Sequence, residues 1–473
     1  MMKKLKKTCR MILPLCIALL VSAGSFAEPG IVVNGGSEAK TAEETAAMAE
    51  AIVQEALQDE ELMTRLAGEV TDKTETIPCV QYGDTSQQVY TLSAGGQELR
   101  FLMETWGNAD DRGLYPVYIT LHGGGGGTAE ENNDQWIDMF NYYRDSVDNG
   151  IYIAVRGISD TWDLHFREGT YPLLDALITY LTVTEQADPN RVYLLGFSAG
   201  GDGVYQLAPR MADRFAAVNM SSGHPNGVSL INLANCPICL QAGIRDYYSE
   251  SAARSVRCAE FEKTLTEYHR KYGFGYEHQV WIHVPEGHNF VDYENGITVP
   301  VLVHPEEFAE RAEAEDMLSA MCGVLKQHTV YDSVVWLSYF SPWENEEFNS
   351  AMASLITDRF GLETEKADTG AVGYVSQFVR DPMPSRLVWD LGTRAASRKI
   401  TSFYWLQADP AVNAGVIRAS FDRETNTYTV EPDESVSGDF AILFLSGMAD
   451  TGRTVKVVTP GVNTRCRSIL PKK

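Results

Sequence analysis

Residues 191–203, which read RVYLLGFSAGGDG, leave few folds open to this chain. A short apolar run, 192–195, meets Gly196-Phe197-Ser198-Ala199-Gly200, and a helix-compatible stretch follows. A buried strand that turns on a glycine-flanked serine straight into a helix belongs to a parallel sheet covered by helices, with the serine at the sheet's carboxyl edge. Gly-x-Ser-x-Gly alone has little specificity in a chain with 39 glycines. Its meaning depends on whether the rest of the chain supplies a base, an acid and donors for an oxyanion, in a compatible order.

The flanking pattern agrees with the sheet. Strand-like runs at 116–121, 151–155, 192–195, 216–220, 238–242 and 279–284 alternate with helix-like runs at 130–147, 170–183, 199–211, 251–272 and 305–325. Such alternation predicts a mostly parallel sheet with helices on both faces. Three strand-like runs, 79–82, 88–92 and 98–104, precede it as an antiparallel start. Further upstream, Thr41-Ala42-Glu43-Glu44 reads as a capping box that opens an amphipathic helix to residue 67. Beyond residue 327 the pattern changes. One helix is expected at 344–360, then short strands at 386–389, 402–406, 415–421, 427–430, 440–445 and 454–458 with turn residues between them, as in a small all-β sandwich. The expected divisions are a signal peptide at 1–27, a helical segment at 28–75, an α/β catalytic domain at 76–328, and a helix plus a small all-β domain at 329–473.

The signal peptide rests on Lys3, Lys4, Lys6, Lys7 and Arg10 ahead of an apolar run at 11–21 that is too short to span a bilayer, with Ser25-Phe26-Ala27 as the cleavage site. A secreted or periplasmic location follows, with no membrane association after cleavage. Loss of those five basic residues carries the formal net charge from −25 to −30. A surface so acidic repels phosphate backbones, so nucleic acid is excluded as a partner. Six cysteines remain in the exported part, Cys79, Cys236, Cys239, Cys258, Cys322 and Cys466. Cys236 and Cys239 enter a strand-like run, where residues three apart lie roughly 10 Å from each other, so they are read as core or separately paired rather than as a redox pair.

Serine at neutral pH needs a base to take its proton, an acid to orient that base, and donors for the developing oxyanion. Upstream of Ser198, the strand at 117–121 runs into His122 and five glycines, 123–127. Their backbone can pass close to a substrate and aim N–H groups at it, and no Gly-Lys-Ser/Thr follows that would make the loop a phosphate cradle. Gly123, Gly124 and Ala199 are the expected oxyanion donors. Downstream, Asp246 follows the strand at 238–242 at the edge where ligands bind, and serves either as the acid or as a turn residue. Trp281-Ile282-His283-Val284 then leads to Gly287-His288. His288, after a strand and a glycine, is the candidate base, whereas His283 within the strand reads as a structural residue. The order glycine loop, Ser198, Asp246, His288 is the order in which an α/β-hydrolase delivers these groups. No metal or cofactor is required.

Leu121-His122-Gly123-Gly124, Gly196-Phe197-Ser198-Ala199-Gly200-Gly201, Gly243-Ile244-Arg245-Asp246 and Gly287-His288-Asn289-Phe290 resemble secreted α/β-hydrolase esterases of the polyhydroxybutyrate depolymerase and feruloyl esterase-like group. The resemblance covers residues 90–325. It implies Ser198 as nucleophile, Asp246 as acid and His288 as base, acting on an ester that can be polymeric. It also implies that Trp162 borders the site, with His122 and Phe197 as further pocket residues. Two rivals stand beside it. One is a serine peptidase of the prolyl oligopeptidase type. The other is a non-catalytic homologue that binds carbohydrate or a partner through the Trp and Tyr residues of its β domain.

Overall fold

The computed structural model describes residues 69–243, 246, 254–283, 287–288 and most of 370–459, with short pieces at 32–33, 296–298, 466–469 and within 350–355. The expected signal peptide, the helices at 41–67 and 305–325, and most of the one at 344–360 lie outside the described residues. Among the described residues no helix is long and apolar enough to cross a membrane.

A ten-stranded sheet forms the frame. Its strands are β1 (Glu69–Ile77), β2 (Thr85–Ala94), β3 (Gln97–Trp106), β4 (Tyr115–Leu121), β5 (Gly150–Val155), β6 (Ala187–Phe197), β7 (Ala217–Ser221), β8 (Ile238–Gly243), β9 (His278–His283) and β10 (Gly296–Thr298). They lie in the order β10-β9-β8-β7-β6-β4-β5-β3-β2-β1. β4 to β9 run parallel, while β1, β2, β3 and β10 add antiparallel edges. The helices between them are α1 (Ala129–Tyr142), α2 (Thr170–Thr184), α3 (Ala199–Arg210) and α4 (Arg254–Tyr272), with a short α5 (Ala371–Val375) from later in the chain. This is the topology of an α/β-hydrolase sheet, with the strand order reversing at β4 and β5.

The central strands read apolar almost throughout because both of their faces are covered. In β5, GIYIAV, all six residues are buried. Alternate side chains go to opposite layers. Val192 and Leu194 of β6 pack with Leu177 of α2, Val204 and Leu207 of α3 and Leu265 of α4. Tyr193, Leu195 and Phe197 pack on the other side with Trp136 and Met139 of α1 and Tyr374 and Val375 of α5. α1 opens on a capping box: Thr128 Oγ1 accepts from Glu131 N at 3.2 Å, and Glu131 Oε2 accepts from Thr128 N at 2.7 Å.

The N-terminal expectations need correction. Residues 69–75, assigned to a helical segment, belong to β1, and Val32–Val33 is a strand paired with Cys466–Ile469. The segment 79–82, expected as a strand, is a turn, because Asp134 of α1 accepts from the amides of Val80, Gln81 and Tyr82 and wraps the backbone around its carboxylate. β1 carries charges at alternating and adjacent positions and is mostly exposed, so no apolar period marks it.

The C-terminal part forms two sheets. One holds β11 (Arg386–Asp390), β14 (Val416–Asp422), β15 (Thr427–Pro432) and β17 (Lys456–Val458). The other holds β12 (Ser402–Phe403), β13 (Leu406–Ala408), β16 (Phe440–Leu443), β18 (Cys466–Ile469) and the strand Val32–Val33. The run 402–406, expected as one strand, is a hairpin. Tyr404 adopts φ 52° in its two-residue turn, and Phe403 pairs with Leu406. Phe403, Tyr404 and Trp405 are buried, and Trp405 Nε1 donates to Pro384 O at 2.7 Å, so these rings are core rather than a sugar-stacking platform.

The C-terminal part is bonded to the back of the hydrolase layer. Arg398 donates to both carboxylate oxygens of Asp175 on α2, at 2.8 and 3.1 Å, and to Asp213 at 3.1 Å. Arg214 pairs with the same two aspartates. Arg380 donates to Asp213 O and Asn190 Oδ1, both at 2.8 Å. Asn232 and the backbone of Asp390 bond each other in both directions.

Candidate active site

β6 ends at Phe197, and Ser198 caps α3 with φ 57° and ψ −119°. Left-handed backbone at a non-glycine residue is strained and persists only where the surroundings dictate it. Here they are steric. A Cβ at Gly196 would overlap the Gly200 carbonyl, one at Gly200 would overlap the Leu121 carbonyl, and one at Gly201 would lie 2.6 Å from Ser221 O. Ser198 N donates to Ser221 O at 2.9 Å, which ties the turn to β7. The first intrahelical bond of α3 is Asp202 N to Ser198 O, so the Ala199 amide lies in the initial turn, whose N–H groups have no intrahelical acceptor.

Ser198, Asp246 and His288 come together. Ser198 Oγ donates to His288 Nε2 at 2.9 Å, and His288 Nδ1 donates to Asp246 Oδ1 and Oδ2, each at 3.1 Å. The proton is placed on Nδ1 because Asp246 is ionised and can only accept. Asp246 is fully buried, His288 nearly so, and Ser198 half-buried and reachable from outside. Burial pushes the Asp246 carboxyl up, but the charges of His288 and then Arg254 outweigh it and hold the group below the usual carboxylate range. Ser222 Oγ donates to His288 O at 3.0 Å and fixes the backbone of the base.

The glycine loop arrives from β4 beside this group. A Cβ on Gly123 would stand 3.3 Å from Ser198 Cβ and 2.8 Å from Gln135 Oε1. Gly124, Gly125 and Gly126 all have positive φ, 89°, 83° and 74°. The Gly125 amide donates to Asn132 Oδ1 and the Gly126 amide to Asp160 O, both at 2.8 Å. No acceptor for the Gly123 and Gly124 amides is found among the described residues. These two N–H groups and that of Ala199 are therefore the ones open to a third body beside Ser198.

His122 needs correction as a pocket residue. It is fully buried, and its ring serves the loop from behind. Gly157 N donates to His122 Nε2 at 3.1 Å, so the proton sits on Nδ1, which donates to Gly123 O at 2.6 Å. His165 Nε2 in turn donates to His122 O at 2.8 Å. Burial, then the neighbouring His165 and Arg156 charges, keep His122 neutral to well below the ordinary imidazole range. Burial also pushes His165 down to about 3. Arg156 completes the support through Asn133, Gly157 O and Asp160, while Asn132 Nδ2 donates to the same Asp160 at 3.1 Å.

Phe197 is buried between Tyr142, stacked at 5.1 Å, and the His288 ring at 5.2 Å. Trp162 is 58% exposed, with its backbone against Gly125 and its ring edge-on to Phe166. His283 is buried, donates from Nε2 to Gln241 Oε1 at 2.8 Å, and is pushed down to about 4 by burial. It belongs to a chain of buried side chains running Gln241, Asn219, Ser221 and Tyr143. Cys79, Cys236 and Cys258 are free thiols. Among the described residues no group of three or more His, Cys, Asp and Glu side chains converges as a metal site.

Sequence reasoning missed Arg254, Ser222, Asn132, Gln135 and His165. The available signal was the polar run Asn132-Asn133-Asp134 on a helix that carries Trp136 and Met139, since polar groups buried in a helix have partners elsewhere. His165 and Arg254 carried no local signal, because their partners are 43 and 8 residues away.

No family model matches the chain. It is similar to feruloyl esterase B of Thermothelomyces thermophilus, 30% identical over 118 residues, which is 23% of this chain. The chain spans 39% of that relative's length. Among solved structures it is similar to native pOPH, at 11% identity and a TM-score of 0.33, covering 57% of this chain and 95% of that one. It is also similar to Est1E from Butyrivibrio proteoclasticus, at 13% identity and a TM-score of 0.29, covering 49% of this chain and 98% of that one.

Proposed function

We propose that this chain is an exported serine esterase that hydrolyses carboxylic esters by two-step acyl transfer. The observation that carries the reading is the continuous line of hydrogen bonds from Ser198 Oγ through His288 to both oxygens of Asp246, at 2.9 and 3.1 Å. His288 Nε2 takes the proton of Ser198 as Oγ bonds to the ester carbonyl carbon. The carbonyl electron pair moves onto oxygen, where the amides of Ala199 and of Gly123 or Gly124 receive it. Collapse re-forms the carbonyl and expels the alcohol, which leaves with the proton from His288. Water, deprotonated by His288, then releases the acid by the same two moves. Asp246 holds the imidazole in the Nδ1–H form throughout and balances its charge.

Similarity to a feruloyl esterase supports an ester substrate over a peptide one, and acyl groups on polysaccharides or a polyester are the substrate classes we infer. The basic, then apolar leader at 1–27 supports export. The two C-terminal sheets are read as one sandwich-like module of the same catalytic unit. The deciding experiment is hydrolysis of p-nitrophenyl acetate and butyrate by the wild type and by Ser198→Ala, with fluorophosphonate labelling of each. The reading requires labelled, active wild type and a loss of at least about 10³-fold in kcat on substitution. A variant that keeps wild-type rates overturns it.

A further inference from the structure

The acid of the Ser198 line has a second cationic partner. Arg254, the first residue of α4, places Nη1 3.1 Å from Asp246 Oδ1, the oxygen that also receives His288 Nδ1–H. The backbone clamps the same residue, since Arg254 N donates to Asp246 O at 2.9 Å and Asp246 N donates to Gly243 O at 3.0 Å. The Arg254 side chain is 14% exposed and that of Asp246 not at all, so the pair is shielded from solvent screening.

We propose that Arg254 is a positioning residue that fixes Asp246 against His288 and so holds the base in line with Ser198. The proposal rests on the esterase reading of the same site. One carboxylate here faces two cations. The guanidinium stays charged at every working pH, and together with the bond from Arg254 N it holds the carboxylate in the orientation in which both oxygens reach His288 Nδ1.

The other described groups around Asp246 and Arg254 supply no second permanent cation. His288 and Ser222 follow β9 and β7 in the chain. From α4, Cys258 is a buried thiol whose ionisation is pushed up, first by burial and then by Asp246, so it stays neutral. From α3, burial likewise pushes up the Tyr205 phenol, so it too is neutral. Asp202, also on α3, is raised by burial, while bonds from His224 N and Asn226 and the charge of Arg254 oppose that rise. Among these described neighbours Arg254 alone is a permanent cation.

The test is kcat and KM for p-nitrophenyl acetate, measured on the full chain as wild type, Arg254→Gln and Arg254→Lys. Fluorophosphonate labelling and Ser198→Ala run alongside, so that failure of the esterase reading shows separately as an inactive, unlabelled wild type. The expected result for Arg254→Gln is kcat lowered about tenfold with KM within about twofold, because the base loses its alignment while the substrate contacts remain. Arg254→Lys should bring kcat back to within about threefold of wild type, because a cation again reaches Asp246 Oδ1. An Arg254→Gln variant that folds with kcat unchanged, or an Arg254→Lys variant no better than Arg254→Gln, overturns the proposal. If Arg254→Gln does not fold by circular dichroism, Arg254→Lys decides alone: a kcat more than about tenfold below wild type overturns the proposal.

Discussion

The elbow at 196–201 and the glycine loop at 122–126 face each other across Ser198, and both contain left-handed backbone, yet they are held by different forces. In the elbow the constraint is contact between backbones. The glycines are there because the Leu121, Gly200 and Ser221 carbonyls occupy the space a Cβ would need. In the loop, where Gly125 also lies close against the Trp162 backbone, the constraint adds a set of hydrogen bonds from buried side chains, His122, His165, Arg156 and Asn132, of which two are imidazoles kept neutral. One half of the site is fixed by shape, which does not titrate. The other half is fixed by partners that do.

The strongest way to break this comparison is Gly200→Ala. The added methyl overlaps the Leu121 carbonyl, a backbone atom that cannot rotate aside, so β4 and α3 must separate. A loss of folding yield or a fall in Tm of more than about 10 °C is expected, with activity below detection. A folded variant with wild-type kcat would show that the elbow is not sterically fixed.

A smaller and pH-dependent effect is expected from the loop. His165 is held down to about 3 in the fold and returns to about 6.5 when unfolded. Between those values the unfolded chain binds more protons, so the contribution of this group is fully present above about pH 6.5 and is lost as pH falls toward 3. Asp246, held below the usual carboxylate range, loses its contribution only below about pH 4, so it does not account for a change between about 4.5 and 6.5. His122 and His283, also held down in the fold, contribute in the same interval, and the variant separates His165 from them. For His165→Gln, Tm at pH 7 should fall by several degrees while its decline between pH 7 and 4.5 becomes shallower than in the wild type. Equal slopes in thermal melts at the two pH values would remove His165 from the account.

The smallest effect is expected at Gly126→Ala. A Cβ there meets no atom within 4 Å, and only the positive φ of 74° opposes it. The expected cost is about 1 kcal/mol, with kcat/KM lowered only a few-fold. A loss comparable with that of Gly200→Ala would mean that the loop, too, is fixed by shape.

The parts of the site readable from sequence are those whose meaning is local. Gly196 to Gly200 turns a strand into a helix within a few residues, and Asp246 and His288 each follow the end of a parallel strand, so chain order alone brings them to one sheet edge. What sequence does not reveal depends on distant pairing. His122 looks like a pocket residue because it adjoins the glycine run, but its ring is turned inward by Gly157 and Gly123. β1 escapes a reading by periodicity because its side chains are mostly exposed. Phe403-Tyr404-Trp405-Leu406 reads as one apolar strand, whereas the left-handed Tyr404 folds it into a hairpin that buries the rings.

The ion cluster that joins Arg398 to Asp175 and Asp213 bears on how such a chain can change over generations. Without residue 398, two aspartates and Arg214 at the back of the hydrolase layer would keep their burial and lose a shared cation. Breaking such a cluster costs about 3–5 kcal/mol, against the 5–15 kcal/mol or so that holds a domain together. The C-terminal sheets are thus not a cassette that recombination can swap freely among neighbours. They are tied to the sheet that carries Ser198, and an exchange at their border keeps this cluster only if the acidic side of the seam changes with it.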